Sequence, residues 1–346
     1  MKKNILYAGT RIIIESPEPA VVEALFSFFK AAGCPENRSA VHDLKIHIQR
    51  VPNLLNQKER LMEGRGFLTR NRGQGVFKEI YISNKDFLFY FGIPKTLFLV
   101  SPDRRLIEGW VEDSSVVKTI RFLQIALLEP IRFALHFQGI FFIHASGVAQ
   151  GDRGVLFIGP PGAGKSNTAL QLVKSGYQFL SDDKIGLRKK SGYVEMLFSP
   201  EWLGLRPRAG GLFGDIQKKI AKNGVRLFSS HEKIKVSMKH LYPDRICARA
   251  CPKLIVFLKK VSKNTLRVSS FSKKEALLAL LKENVILFSG KFSSPVGQKH
   301  FDVFSDLVNQ TEVICLEYSM DRFCDVEPLV TRMFRRNLRN HIETML

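Results

Sequence analysis

Short stretches of alternating apolar and polar residues run through the first third of the chain, which is the pattern of strands with one buried face. They predict strands at residues 12–15, 44–49, 76–82, 87–91 and 96–100. Apolar residues at helical spacing predict one helix over residues 20–32. Three glycines and three arginines in residues 65–75 predict an exposed hairpin connection instead. Together these elements predict a small α+β domain over residues 1–110.

The pattern changes after residue 110. Apolar residues recur at helical spacing from 114 to 137, and Pro130 is predicted to break or kink this helix, so we interpret residues 111–138 as a helical bridge. Beyond the bridge, continuous apolar runs predict buried strands that alternate with helices. The strands are predicted at 141–149, 155–158, 177–183, 193–198, 254–258, 266–269 and 313–318, and the helices at 167–175, 273–288 and 322–342. Residues 139–346 are therefore predicted to form a second domain with an α/β fold.

One of these strands runs into a glycine-rich loop. Residues 155–166 read V-L-F-I-G-P-P-G-A-G-K-S, which meets every position of the phosphate-binding P-loop pattern. In that pattern the glycines let backbone N–H groups curl around phosphate oxygens, the lysine reaches the β and γ phosphates, and the serine hydroxyl binds Mg2+. The helix that follows adds the positive end of its dipole. The sequence therefore predicts a site for a nucleoside triphosphate and Mg2+, with the nucleotide held by Gly159, Pro160, Pro161, Gly162, Ala163, Gly164, Lys165, Ser166 and Asn167.

Two carboxylates follow the loop at short range. Asp182 and Asp183 come 17 and 18 residues after Lys165, at the end of the next predicted strand. Because side chains alternate along a strand, the two carboxylates are expected to face different directions. One can then face a substrate while the other faces a metal ion.

The order of three segments resembles the catalytic domain of HPr kinase/phosphorylase and its relatives, which include kinases of modified-peptide clusters. The segments are His144-Ala-Ser-Gly, the P-loop, and the stretch from Gly176 to Asp183, and the resemblance covers residues 141–188. It implies a P-loop core like that of phosphoenolpyruvate carboxykinase, with a mixed sheet and flanking helices. It also implies an ATP-dependent kinase that phosphorylates a serine or threonine hydroxyl of a small protein or peptide.

The resemblance also implies roles for single residues. Asp182 is the expected general base, Asp183 is expected to hold Mg2+ together with Ser166, and His144 is expected to orient the base or stabilise charge. Phosphoryl transfer needs further cationic groups, and Arg206 and Arg208 are the best candidates besides Lys165. HPr kinases carry a Glu-Ile-Arg-Gly signature near Arg206, with a metal-binding glutamate. That signature is missing here, since the nearest preceding glutamate, Glu201, lies five residues upstream.

Composition and charge limit the remaining possibilities. The 346 residues carry a net charge of +21, which attracts acidic partners, but contain no nucleic-acid-binding motif. No run of 18 apolar residues or secretory signal is present, so a cytoplasmic protein without a membrane span is expected. Five cysteines without paired spacing indicate reduced thiols. A solvated basic surface is the first interpretation of this charge and an acidic protein or peptide partner is the next, while the resemblance leaves a homo-oligomer open.

A second class of function fits the same loop. A nucleotide-binding regulator or assembly factor could use ATP as a switch without transferring phosphate. A switch needs no base aimed at an acceptor, so the two adjacent aspartates favour the kinase. A GTPase and an ABC-type ATPase are disfavoured, because the chain has neither an Asn-Lys-x-Asp nor a Leu-Ser-Gly-Gly-Gln signature.

Overall fold

A computed structural model describes residues 1–31, 43–73, 76–83, 85–119, 122–199, 203–205, 214, 216–218, 228–230, 233–262, 264–284 and 295–343. The chain divides into two compact units, Met1–Gln138 and Gly139–Leu346. Both combine mixed β-sheets with flanking helices, so the predicted α/β class is confirmed.

The first unit is built on an eight-stranded sheet with the order β1-β2-β3-β8-β7-β6-β5-β4. Its strands are β1 Lys2–Tyr7, β2 Thr10–Glu15, β3 Asp43–Arg50, β4 Gly66–Gly73, β5 Val76–Ser83, β6 Asp86–Gly92, β7 Lys95–Ser101 and β8 Leu106–Val111. The helices are α1 Pro19–Ala31, α2 Leu54–Met62, a 3-10 turn Ser114–Lys118, a π-helical turn Phe122–Leu127 and α3 Leu128–Phe137. Strand β3 pairs in parallel with β2 and β8, while the other neighbours are antiparallel.

Aromatic side chains form the core of this unit. Phe89 is fully buried, with its ring centroid 5.0 Å from that of Phe133 on α3, and Phe87 lies 4.6 Å from the same ring. On the other face of the sheet, Trp110 and Tyr90 belong to a buried cluster with Leu54 of α2. Burying each such side chain contributes on the order of 1.5–3 kcal/mol.

Two predictions for the first unit differ from the structure. Residues 66–73 form strand β4 and pair with β5, whereas a hairpin connection was expected for 65–75. Helix α3 continues through Pro130, whereas a break or kink was expected. Pro130 lies in the first turn of α3, directly after the π-helical turn, where a missing N–H is tolerated. The other strands and the helix predicted for the first 110 residues are confirmed.

The second unit contains a nine-stranded sheet whose main path is β12-β10-β11-β18-β14-β13-β9, with β20 paired to β18 and β19. Its strands are β9 Ile140–Ile143, β10 Ser146–Gln150, β11 Arg153–Ile158, β12 Gln178–Ser181, β13 Ile185–Lys190, β14 Tyr193–Leu197, β18 Arg249–Lys260, β19 Leu266–Ser270 and β20 Glu312–Tyr318. A separate three-stranded sheet joins β15 Leu203–Leu205, β16 Phe228–Ser230 and β17 Lys233–Val236. Strand β18 pairs in parallel with β11 and β20, so the carboxyl ends of these three strands lie along one edge.

Helices cover this sheet. They are α4 Lys165–Lys174, α5 Met238–Leu241, α6 Lys273–Asn284, α7 Pro295–Gln310, a 3-10 turn Met320–Asp325 and α8 Val326–Glu343. Apolar side chains of α6 and α7 pack into one buried cluster with those of the central strands, among them Ile255, Leu280 and Phe304. Four cysteines lie in described residues and are free thiols: Cys247, Cys251, Cys315 and Cys324.

The predicted strand 141–149 is two strands in the structure. Strand β9 ends at Ile143 and pairs with β13, while β10 begins at Ser146 and pairs with β11 and β12. The chain bends between them, where the Ala145 N–H donates to the Ile143 carbonyl at 3.1 Å. His144 therefore lies at a corner of the sheet, whereas a position within a continuous strand was expected.

Candidate functional site

The P-loop joins the end of β11 to the start of α4. Gly159, Gly162 and Gly164 have φ values of +153°, +88° and +91°, a region that L-residues rarely adopt. A Cβ on Gly159 would lie 2.5 Å from the Leu258 carbonyl oxygen. A Cβ on Gly164 would lie 2.0 Å from the Tyr318 hydroxyl oxygen. Both positions therefore require glycine for backbone conformation and for space.

The cationic and dipolar groups expected around phosphate gather at this loop. Lys165 is buried, and its Nζ donates to the Gly159 carbonyl at 2.6 Å and to the Pro160 carbonyl at 3.3 Å. Gly164 caps α4 without a side-chain hydrogen bond, so the positive end of the helix dipole lies directly beside the loop. Pro160, Pro161 and Gly162 are exposed, Ala163 is buried, and Ser166 and Asn167 are half-buried.

Asp182 is a buried carboxylate that accepts hydrogen bonds from three elements. Its Oδ1 accepts from the Ser146 hydroxyl of β10 at 2.5 Å and from the Ser166 hydroxyl of α4 at 2.9 Å. Its Oδ2 accepts from the backbone N–H of Gly204 in β15 at 3.2 Å. The side chain is 3% exposed, so these donors replace the water that a carboxylate would otherwise bind.

Burial raises the pKa of the Asp182 carboxyl above its ordinary value, and the charge of the adjacent Asp183 raises that pKa further. The hydrogen bonds from Ser146, Gly204 and Ser166 lower the pKa and offset part of this increase. A cation beside Asp182 would favour its charged form, because it would balance the two neighbouring negative charges.

Asp183 faces a different environment. Its side chain is 44% exposed, and its Oδ1 lies 3.1 Å from Nδ1 of His144, which is 26% exposed. Its φ of +71° lies in the left-handed region, which turns the chain sharply after Asp182. The backbone N–H of His144 donates to Oδ1 of Asn284, the last residue of α6, at 2.5 Å. The two aspartates thus face different neighbours, but both lie beyond the end of β12 at Ser181, so the left-handed turn at Asp183 separates them and not the expected alternation along a strand.

The contacts of these aspartates differ from the pairing that the sequence interpretation expected. The sequence interpretation placed Asp183 with Ser166 and left Asp182 to face the acceptor. In the structure the Ser166 hydroxyl donates to Asp182, and the more exposed Asp183 lies beside His144. Alternation along the chain predicts opposite directions, but it does not tell which of two neighbours turns inward. Arg206, Arg208 and Glu201 lie outside the described residues.

Three contacts of the site were not predicted. Ser146 was part of the motif that carried the resemblance, yet its hydroxyl was given no role. Tyr318 donates its hydroxyl to the Ala163 carbonyl of the P-loop at 2.8 Å, across 155 residues of sequence. Asn284 reaches His144 across 140 residues. A serine within an apolar stretch was a signal for the first, while the other two depend on tertiary packing.

The chemistry of these donors fits Mg2+. This ion is commonly held by one or two carboxylates together with phosphate oxygens and waters. Within the described ranges, no three His, Cys, Asp or Glu side chains converge as a metal site. Asp182 and the Ser166 hydroxyl instead offer a partial set of oxygen ligands beside the P-loop. Such a set suits an ion that arrives with a nucleotide.

Comparisons with known proteins give little further evidence. No protein-family model matches the sequence, and no curated protein matches it. Among solved structures, the chain matches the HPr(Ser) kinase/phosphatase from Coxiella burnetii with 15% identity and a TM-score of 0.28, over 59% of this chain and 97% of that chain. A likeness of this size carries no argument about function, which depends on the geometry above. In the described residues, no helix has both the length and the apolar character needed to cross a membrane.

Proposed function

We propose that this protein is an ATP-dependent phosphotransferase that moves the γ-phosphoryl group to a serine or threonine hydroxyl of a small protein or peptide. One observation carries the proposal: the two adjacent aspartates beside the P-loop have different environments. Asp182 accepts a hydrogen bond from the Ser166 hydroxyl, and Asp183 lies beside the His144 imidazole. A loop that only binds nucleotide needs one metal-side carboxylate. A second carboxylate, exposed and paired with an imidazole, is what transfer to a hydroxyl requires.

On this proposal the phosphates lie in the P-loop. Backbone N–H groups of the loop and of the first turn of α4 bind phosphate oxygens, and Lys165 moves from the loop carbonyls to the β and γ phosphates. Asp182 and Ser166 would hold Mg2+, which when bound supplies charge neutralisation between the β and γ phosphates. This assignment reverses the roles expected from the sequence, for the geometric reason given above.

Asp183 is then the general base. The acceptor hydroxyl gives its proton to an Asp183 oxygen while the hydroxyl oxygen forms a bond to the γ-phosphorus. The bond from that phosphorus to the bridging oxygen breaks, and ADP leaves. His144 lies within hydrogen-bonding distance of Asp183 and orients its carboxylate. Arg206 stays a candidate for additional positive charge.

The acceptor class is proposed from charge. A net charge of +21 favours an acidic peptide or protein. The expected role of residues 1–110 in acceptor capture also stays a prediction.

The deciding experiment measures transfer of γ-labelled phosphate from Mg-ATP to an array of peptides. Each peptide carries a single Ser, Thr or Ala within acidic, neutral or basic flanking residues. We expect label on Ser or Thr peptides with acidic flanks, and a loss of at least about a hundredfold in Lys165→Ala. Lys174→Ala is the matched control, since Lys174 is an exposed lysine at the other end of the same helix.

Tight binding of Mg-ATP without label on any peptide or protein acceptor would contradict the transferase and favour the nucleotide switch. Transfer that persists in Lys165→Ala would show that the label does not come from this site.

A further inference from the structure

Tyr318 contacts the P-loop from a distant part of the chain. It is the last residue of β20, which pairs in parallel with β18, and β18 pairs in parallel with β11, the strand that enters the loop. The side chain is 1% exposed, and its ring lies 5.8 Å from that of Phe323 in the following 3-10 turn. The hydroxyl is therefore held in place by a strand and by ring packing.

The Tyr318 hydroxyl donates to the Ala163 carbonyl oxygen at 2.8 Å. That carbonyl belongs to the peptide between Ala163 and Gly164. A peptide unit is planar and, between two non-proline residues, trans, so its C=O and N–H point in opposite directions. A bond that fixes the Ala163 carbonyl toward Tyr318 therefore fixes the Gly164 N–H away from Tyr318.

Two further features support a fixed peptide. The Ala163 N–H donates to the Pro160 carbonyl at 3.1 Å, which closes the turn on the other side of the residue. A Cβ on Gly164 would lie 2.0 Å from the Tyr318 oxygen. Because glycine has no Cβ, the hydroxyl packs directly against the loop backbone. Burial raises the pKa of the Tyr318 hydroxyl to about 12, so it stays a proton donor at every physiological pH.

We propose that Tyr318 is a positioning residue that orients the Ala163–Gly164 peptide of the P-loop, so that the Gly164 N–H points to bound phosphate. The inference rests on the proposed nucleotide site. On this inference β20, which lies outside the P-loop motif, contributes to the affinity of the loop for phosphate.

The test removes only the hydroxyl. Tyr318→Phe keeps the ring and its packing on Phe323, and Tyr177→Phe is the matched control. Tyr177 is also buried, and its hydroxyl donates to the Thr331 hydroxyl at 3.3 Å. We expect the Kd of Mg-ATP to rise about tenfold in Tyr318→Phe, which corresponds to about 1.4 kcal/mol. In Tyr177→Phe we expect a change of less than about twofold.

A second ligand separates an effect on the bound phosphates from an effect on the nucleoside. Mg-pyrophosphate carries the phosphates without the nucleoside, so its affinity, measured by competition, should fall by the same factor as that of Mg-ATP. If Mg-ATP weakens and Mg-pyrophosphate does not, Tyr318 acts through the nucleoside, and the proposal is overturned. Equal affinities of wild type and Tyr318→Phe for both ligands overturn it as well.

Hydrogen exchange tests the contact without any nucleotide. Below the melting transition of each variant, we expect amide exchange in residues 159–166 to become about tenfold faster in Tyr318→Phe and to stay unchanged in Tyr177→Phe. This measurement keeps the two proposals distinguishable. If wild type binds no nucleotide, the proposed function fails, while exchange still decides whether Tyr318 holds the peptide; unchanged exchange in Tyr318→Phe overturns the inference alone.

Discussion

The two units of the chain differ in the polar groups that lie buried beside their apolar cores. In Met1–Gln138 the largest fully buried side chains are aromatic, such as Phe89, which packs on Phe133, and Phe98, which packs on Phe91. In Gly139–Leu346 a second group lies beside the apolar core: Lys165, Asp182 and Ser146 are all buried near the P-loop. Burying polar and charged groups costs free energy even when they are paired, whereas burying phenyl rings stabilises the fold.

The difference shows where each unit departs from what folding alone would favour. The aromatic core needs no explanation beyond its own stability. The buried carboxylate of Asp182 is hydrogen-bonded on three sides, yet its pKa is raised by burial and by Asp183. Such a group costs stability, and the function proposed for the P-loop beside it gives a reason for keeping it.

Asp183 is the exposed member of the aspartate pair, so the comparison predicts that a change there affects chemistry and not folding. Asp183→Asn should lower turnover about a thousandfold, which is about 4 kcal/mol of transition-state stabilisation, because the base is lost. The Kd of Mg-ATP should change by less than about threefold. Steady-state kinetics measures the turnover, and fluorescence titration measures the Kd of Mg-ATP. Loss of nucleotide affinity in proportion to turnover would assign Asp183 to the nucleotide or metal side.

The opposite result is expected in the aromatic core. Phe89→Ala should lower the free energy of unfolding of the first unit by about 3–4 kcal/mol, since it leaves a cavity next to Phe133. Phe67→Ala should cost less than about 1 kcal/mol, because this ring is 56% exposed. Urea unfolding followed through Trp110 in a Trp202→Phe background reports this unit. Similar costs for both changes would contradict the packing described for β6 and α3.

The first unit also buries charged groups, in one ion pair. Lys58 and Glu79 are 2.6 Å apart, with side chains 15% and 4% exposed. Lys58→Met should cost about 2–3 kcal/mol, since it leaves Glu79 buried without this cation. Lys2→Met, which breaks a pair with Glu15 that is 57% and 38% exposed, should cost less than about 1 kcal/mol. The same Trp110 unfolding curves measure both, and equal costs would refute the difference in burial.

The smallest effect concerns pH and the second unit. The ring of His300 stacks on Phe141 at 4.7 Å, and burial lowers its pKa from 6.5 to about 4. The unfolded state therefore binds more protons between these values, and stability should fall as the pH decreases from about 6.5 to about 4. At about 1.4 kcal/mol per pH unit the limit is about 3.5 kcal/mol, and we expect about half of that change, because the ring keeps some exposure.

Thermal unfolding at a series of pH values measures this dependence. His300→Phe should remove this part of the acid sensitivity. An identical pH dependence in wild type and His300→Phe would show that other groups account for it.

The regular parts of the molecule were predictable from the sequence. Apolar alternation gave β5 to β7, and the P-loop pattern located the loop between β11 and α4. The break at His144 was missed, because apolar residues continue across it and only tertiary pairing separates β9 from β10. Strand β4 was missed because its glycines and arginines are typical of a loop, while the pairing with β5 outweighs that local preference. The contacts of Tyr318 and Asn284 span 155 and 140 residues, a range at which no local pattern carries information.

The backbone at Asp183 limits which substitutions can be interpreted there. Its φ of +71° is a conformation that asparagine and aspartate adopt more readily than most other residues with a side chain. Glutamate would carry the same charge, yet its longer side chain lacks that local preference, so Asp183→Glu changes the turn as well as the position of the carboxylate. A loss of activity in Asp183→Glu would therefore mix conformation with chemistry. At this residue asparagine, the isosteric amide, is the conservative replacement, and glutamate is not.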